Sequence, residues 1–402
     1  MLGGRIDLPR SVVPASLALA ALVTPLAPPA SATFTRVMLS LALGFLVSLL
    51  ATLLIVRYSH LHAGLSADVD LVGVQKFHAT PVPRIGGVGI LLGLVVAGLQ
   101  LHFAYPAVSY GILVIAGCAL PAFLSGLTED LTKRVTPLIR LLATMAAALL
   151  AWWAMGIRVT HIDIPLIDPL LAYAWLGVPL TVLAVAGLAN AVNIIDGFNG
   201  LAAMVAFMMF VSLAYVAFQV GDAVVLSASL AMMGAILGFF IWNYPAGLIF
   251  LGDGGAYLLG FMLGELSILL VMRNPSVSAW YPVLLAMYPI FETCFSIYRK
   301  RFVRGISPGI PDGVHLHMLV YKRLMRWAVG ARTARELTRR NSLTSPYLWM
   351  LCLLAVIPAT LFWRYTGVLV CFVVVFAATY VWLYVSIVRF KAPKWLVVRR
   401  RT

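Results

Sequence analysis

Residues 190–200 read Asn-Ala-Val-Asn-Ile-Ile-Asp-Gly-Phe-Asn-Gly, set between apolar runs at 181–188 and 201–211. Three Asn, one Asp and two Gly thus stand at the end of one candidate membrane span and the start of the next. An Asp at the bilayer centre costs about 2.5–3.5 kcal/mol on an insertion scale, so a carboxylate at this boundary has a task or a partner. The glycines let the backbone turn tightly and approach a ligand. A plain reading, a polar helix end with Asn caps and Gly breakers, fits the stretch equally well in isolation. Other polar islands on the same membrane face decide between the two.

The remainder of the chain agrees with a membrane setting. Of its 402 residues 62% are hydrophobic and 11% charged, with mean hydropathy +0.99. Soluble domains carry about 25% charged residues, so the expected class is an all-α polytopic membrane protein. Cys118, Cys294, Cys352 and Cys371 all fall in apolar runs, which argues against a disulfide framework or a zinc site.

Residues 1–36 form an N-terminal extension in which Arg5 and Arg10 precede an Ala/Leu run, resembling a signal peptide, and Met38 offers a second start. From there eleven segments approach the ~20 apolar residues a bilayer requires. They lie near 37–57, 85–104, 107–127, 137–157, 174–195, 199–218, 223–243, 246–271, 279–298, 346–363 and 366–388. One transmembrane domain over 37–388 is expected, with a long loop at 299–345 and a basic tail at 389–402. If the first span runs inward, 23 of the 29 Lys and Arg fall on cytoplasmic segments. The net charge of +15 is then a topology signal and a grip on anionic membrane lipid, not a sign of nucleic acid. On the opposite face residues 158–173 alternate apolar and polar, which predicts a short periplasmic hairpin. His161, Asp163 and Asp168 there are read as loop surface.

Five islands face the cytoplasm in this topology: Gln75 to Gly87, Glu129 to Arg134, the stretch around Asp196, Leu251-Gly-Asp-Gly-Gly255, and Ile310 to His317. Carboxylates gathered with Gly, Lys and His at one membrane face suit a hard cation and phosphate groups. Each island alone has a bland reading. Glu129-Asp130 fits a solvated loop pair, Asp253 a helix cap, His315 and His317 surface histidines, and Gly86-Gly87 close helix packing. Glu292 is expected to be structural, balancing Arg299 or Lys300, and Glu265 has no explanation.

In their order, over about 57–325, the islands resemble the polyprenyl-phosphate N-acetylaminosugar-1-phosphate transferases, glycosyltransferase family 4. That resemblance implies transfer of a sugar-1-phosphate from a UDP-N-acetylhexosamine to a polyprenyl phosphate, with Mg²⁺ or Mn²⁺ and release of UMP. It places the active site on the cytoplasmic face of the bacterial inner membrane and the product in an envelope glycan such as O-antigen lipopolysaccharide or capsule. The family's acidic pair matches Glu129 and Asp130, with Lys133 after it. Its Gly-Asp-x-Gly motif matches Gly252 to Gly255, and its Asn-x-x-Asn-x-x-Asp-Gly motif matches Asn190, Asn193, Asp196 and Gly197. Its His-x-His loop matches His315 and His317, and its basic segment before Gly-Gly matches Lys76 and His78. Glu129 and Asn199 stand where Asp is usual, and Met318 where many members have a third His. That last change places the chain nearer the N-acetylglucosamine-1-phosphate branch than the phospho-N-acetylmuramoyl-pentapeptide branch.

The resemblance implies catalytic roles for Glu129, Asp130, Asp196, Asp253, His315 and His317. Asp253 and Asp196 are the expected metal ligands. Lys76, His78, Lys133, Asn190, Asn193, Asn199 and Arg304 are the expected substrate contacts, and a homodimer is left open. Two rivals remain. A lipid flippase would also carry intramembrane acids, but it predicts polar groups at mid-membrane and an internal repeat. A phospholipid head-group transferase needs Asp-Gly-x-x-Ala-Arg, whereas Asp196-Gly197 is followed by Phe198-Asn199-Gly200-Leu201.

Overall fold

The computed structural model describes residues 31–66, 82–307, 313–325 and 333–391. Their helices are α1 (Ser31–Arg57), α2 (Ser59–Ser66), α3 (Gly87–Gln100), α4 (Pro106–Cys118), α5 (Leu120–Thr132), α6 (Pro137–Met155), α7 (Asp168–Leu171) and α8 (Ala174–Ile195). They continue with α9 (Leu201–Val220), α10 (Ala223–Asn243), α11 (Gly252–Arg273), α12 (Trp280–Leu285), α13 (Met287–Tyr298), α14 (Leu316–Leu319), α15 (Ala334–Leu361) and α16 (Thr366–Val388). No β-strand occurs among the described residues.

Eight of these helices are long and apolar enough to cross a bilayer, or nine if the bent pair α4–α5 is one span. The eleven expected segments are all helical, but three of them are not single long helices. α3 has 14 residues and ends in a 3-10 turn at Leu101–Phe103. α4 and α5 meet at an angle of 43°, with Pro121 in the first turn of α5. The segment at 279–298 divides into α12 and α13, because Pro289 has no N–H to offer the carbonyl of Leu285 one turn back.

The expected hairpin at 158–173 is not formed. Its backbone donors go to side chains instead: Val159 N–H to Thr181 at 2.7 Å and Ile162 N–H to Asp168 at 2.7 Å. Asp163 adopts a positive φ of 58° and accepts from Ser278, Thr366 and the Ala279 amide at 2.6–3.0 Å. The alternating pattern therefore belongs to a strap that ties the far ends of three spans together.

α11 is the axis of the molecule. It is buried around most of its circumference and packs on α3, α5, α8 and α9, while α1 and α16 lie at the periphery. Peripheral side chains such as Leu46, Leu50, Leu54, Val374 and Trp382 point outward, as a lipid-facing surface requires. The protein is a multi-pass membrane protein. Its spans alternate in direction, so the end of α5, the end of α8 and the start of α11 meet at one end of the bundle. The opposite end is tied by Asp163 and by Asp222, which lies 3.4 Å from Arg273.

Candidate active site

The meeting of α5 with α11 is built from small residues. A Cβ at Gly126 would come within 2.5 Å of the Gly254 nitrogen, so only glycine lets α5 lie this close to the start of α11. Gly252 has φ +76° and turns the chain into α11, and a side chain there would strike the Arg84 carbonyl. The segment entering α3 is laced to the same turn: Phe250 N–H donates to Pro83 at 2.8 Å and Gly86 N–H to Phe250 at 3.0 Å.

This close approach brings a buried carboxylate from one helix to the amino end of another. Asp130, 2% exposed, accepts from the Asp253 amide and the Gly254 amide, both at 2.9 Å. Those amides are among the donors that a helix start leaves unsatisfied, so Asp130 caps α11 from outside its own chain segment. Asp253 itself points on to two arginines. Arg84 lies 3.5 Å from one of its oxygens and 3.6 Å from Asp130, and Arg140 forms an ion pair with the other. Asp196 follows the last residue of α8 and interacts electrostatically with Arg84 and Asp130. Its surroundings desolvate the carboxyl and raise it to about 7, against the opposing pull of Arg84.

The histidines reach this region from the long loop. His315 Nδ1–H donates to Glu292 at 2.9 Å, the Leu316 amide donates to the same oxygen at 3.2 Å, and Tyr380 O–H holds the other at 2.7 Å. Glu292 thus fixes the start of α14 and selects the His315 tautomer. Arg299 donates to the Val314 carbonyl at 2.7 Å and to Tyr384 at 2.8 Å. His317 stacks on His315 with ring centroids 5.3 Å apart and packs edge-on against Phe198 at 5.6 Å. The His-x-His segment therefore lies against the turn that follows Asp196.

The other expected residues take varied positions. Glu129 accepts from the Val135 amide at 2.7 Å and shapes the turn after α5. Lys133 ends α5 with a positive φ of 57° and acts electrostatically on Asp130. Asn190 receives a 3.3 Å hydrogen bond from Tyr257, Asn193 is half-buried one turn further, and Arg304 is exposed. Asn199 is turned inward: its amide donates to Asn341 at 2.8 Å and its side chain to the Pro245 carbonyl at 3.2 Å, tying α9 to α15. The structure gives it an inter-helix tie, not a place among the clustered carboxylates. Lys76, His78 and Asp312 lie outside the described residues.

Arg84 and Arg140 stand out only once the chain is folded, although Arg140 leaves a trace in the sequence. It sits in the first turn of α6, at the positive end of that helix, where a cation is unfavourable without a carboxylate partner.

A family model, glycosyl transferase family 4, matches residues 112–271, from within α4 to near the end of α11. Over these residues the chain is similar to that family. The matched part holds Glu129, Asp130, Arg140, Asp196 and Asp253 and ends before the two histidines. A probable undecaprenyl-phosphate N-acetylglucosaminyl 1-phosphate transferase of Bacillus subtilis is 28% identical over 73% of this chain and 80% of its own length. An undecaprenyl-phosphate alpha-N-acetylglucosaminyl 1-phosphate transferase of Thermotoga maritima is 29% identical over 64% of this chain and 75% of its own. A phospho-N-acetylmuramoyl-pentapeptide-transferase of Halalkalibacterium halodurans is 27% identical over 48% of this chain and 62% of its own. Of these three, the two N-acetylglucosaminyl 1-phosphate transferases are matched over more of the chain.

Proposed function

We propose that this chain transfers an N-acetylhexosamine-1-phosphate from a UDP-sugar to undecaprenyl, or another polyprenyl, phosphate and releases UMP. The observation that carries the reading is the cluster of Asp130, Asp196, Asp253, Arg84 and Arg140 at one end of the bundle, all but Arg84 inside the family-matched region. The activities named for the relatives above supply the substrate class. The basic segments at that end support a cytoplasmic orientation in a bacterial inner membrane, where a UDP-sugar is available. The reaction would initiate an envelope glycan, an O-antigen lipopolysaccharide or a capsule among them.

An oxygen of the lipid phosphate attacks the sugar-bearing phosphorus of the diphosphate. The bond from that phosphorus to the bridging oxygen breaks, and UMP leaves with the electron pair. The chain's task is to hold two anions in line and to neutralise charge, since a phosphate monoester with a second pKa of about 6 is already largely ionised at neutral pH. Arg84 and Arg140 offer guanidinium forks that match phosphate oxygens. Glu292 holds His315, and through the stacked pair His317, toward the same end. Asp130 works through the backbone by fixing the start of α11.

The donor chemistry fits Mg²⁺ or Mn²⁺. Asp253 and Asp196 are hard oxygen donors, and among the described residues no three or more His, Cys, Asp or Glu side chains are arranged to hold a metal ion by themselves. A cation that takes one or two carboxylates and completes its shell with substrate phosphates matches that donor set. Asp253 would hold it, with Asp196 beside it. When bound, such a cation would neutralise charge on the diphosphate and on the departing UMP.

Radiolabel transfer tests the reading. Purified protein receives undecaprenyl phosphate, Mg²⁺ and a panel of UDP-N-acetylhexosamines, with UDP-N-acetylmuramoyl-pentapeptide as a further donor. Labelled lipid with stoichiometric UMP, lost in Asp253→Ala, is expected from an N-acetylhexosamine donor. Transfer from the pentapeptide donor alone would move the chain to the other branch, and no transfer from any donor would refute the proposal.

A further inference from the structure

Both oxygens of Asp253, the expected cation ligand, face guanidinium groups, Arg84 on one side and Arg140 on the other. Asp130 is engaged as well, each of its oxygens accepting an α11 amide. A divalent cation arriving alone would have to sit between two positive charges. Each guanidinium repels the doubly charged ion, and in a partly desolvated site that repulsion is weakly screened. The two arginines thus compete with a bare cation for Asp253.

Arg140 is the more readily released of the two arginines. It projects from the first turn of α6, where the helix dipole disfavours a cation, and it is held by Asp253 and by the face of Tyr257, 5.8 Å from its guanidinium carbon. Its Nε has no hydrogen-bond partner among the described residues. The non-bridging oxygens of a diphosphate are a better match for that fork than one already shared carboxylate.

We propose that Arg140 is a displaceable counter-ion of Asp253, which competes with a bare divalent cation and releases the carboxylate when a nucleoside diphosphate takes over the guanidinium. Cation and nucleotide sugar then enter as a coupled pair. This rests on the transferase reading of the same site and adds the order in which the site fills. Arg140 acts here as a positioning residue for Asp253 before the nucleotide arrives and as a diphosphate contact afterwards.

Binding of Mn²⁺ to the purified full chain, followed by electron paramagnetic resonance with and without UDP, tests the coupling. The association of Mn²⁺ with UDP in solution is subtracted. In the wild type UDP should tighten Mn²⁺ binding about tenfold or more, within the usual range of coupling between two sites. Arg140→Gln should bind Mn²⁺ about tenfold more tightly without UDP and lose most of the tightening that UDP confers. Asp253→Asn should abolish binding in either background. A thermal unfolding curve reports whether Arg140→Gln is folded. If it is not, the wild-type linkage alone decides, because absence of coupling between UDP and Mn²⁺ overturns the proposal. A folded Arg140→Gln protein whose Mn²⁺ affinity without UDP is unchanged or weaker overturns it as well. Failure of the transferase reading looks different: no form binds Mn²⁺ with UDP, and no donor transfers.

Discussion

Asp196 stands one residue beyond the end of α8, and its carboxyl is raised to about 7 by desolvation, against the pull of Arg84. A carboxyl raised on folding binds its proton more tightly in the native state than in the unfolded one. Its contribution to stability is therefore full below the ordinary carboxylate range and is lost as pH rises through about 7. Metal-free protein in detergent should melt at a lower temperature at pH 8 than at pH 5, and Asp196→Asn should remove that part of the difference. An unchanged slope in the variant would assign it elsewhere. Mg²⁺ added together with UDP should oppose the same trend, since a cation favours the ionised form. Asp163, at the opposite end, has the reverse sign. Burial raises its carboxyl, but hydrogen bonds from Ser278, Thr366 and the Ala279 amide, with His161 nearby, bring the balance below the ordinary range. Its contribution is present above that range and is lost as pH falls below it.

α11 shows at the scale of an element why the site exists where it does. Its first turn is completed by a carboxylate from α5, and charge-assisted hydrogen bonds of this kind contribute about 1.5–3 kcal/mol each. Asp130→Asn keeps one acceptor oxygen but loses the charge. It should lower the melting temperature and weaken Mn²⁺ binding about tenfold, a loss near 1.4 kcal/mol, while Glu129→Gln leaves both close to wild type. Wild-type Mn²⁺ affinity in Asp130→Asn, with transfer lost, would make Asp130 a direct substrate contact. Further along the helix, Glu265 is fully buried with neither oxygen hydrogen-bonded among the described residues. Replacing an unsatisfied buried polar group by an apolar one is neutral or stabilising, so Glu265→Leu should melt at the same temperature or higher. A clear drop in melting temperature would mean that the carboxyl has a partner. These two acids show what the sequence could and could not tell. The islands were legible because charges and glycines interrupt apolar runs at matching ends of successive spans. Which carboxylate caps, which pairs and which stands alone depends on helix contacts far apart in the chain, such as the approach of Gly126 to Gly254. The broken span at 279–298 and the strap at 158–173 escaped pattern reading for a related reason. Prolines and side-chain acceptors settle those backbones locally, and hydropathy registers neither.

For the whole molecule, the asymmetry of charge and the position of the site make one claim between them. The end that carries Arg84, Asp130, Asp253 and the His-x-His segment is also the end onto which most Lys and Arg residues fall. If positive charge stays on the cytoplasmic side, the site opens where nucleotide sugars are made, and the polyprenyl phosphate is met at the inner leaflet. The far end carries the Asp163 strap, where Leu166 is 88% exposed, and Ser307 is exposed in the loop at the site end. Two single substitutions, Leu166→Cys and Ser307→Cys, in a background with the four native cysteines replaced, read this directly. In intact cells a membrane-impermeant maleimide should label the position at 166, and the position at 307 only after the membrane is opened. Reversed labelling would place the site on the outer face, where no UDP-sugar pool exists to be used. The carboxylate–arginine cluster would then have to serve a lipid phosphate alone, and the flippase reading would gain what the transferase reading lost. Labelling at 166 alone leaves the cluster facing both of its proposed substrates, the only orientation in which one end of the bundle can bring them together.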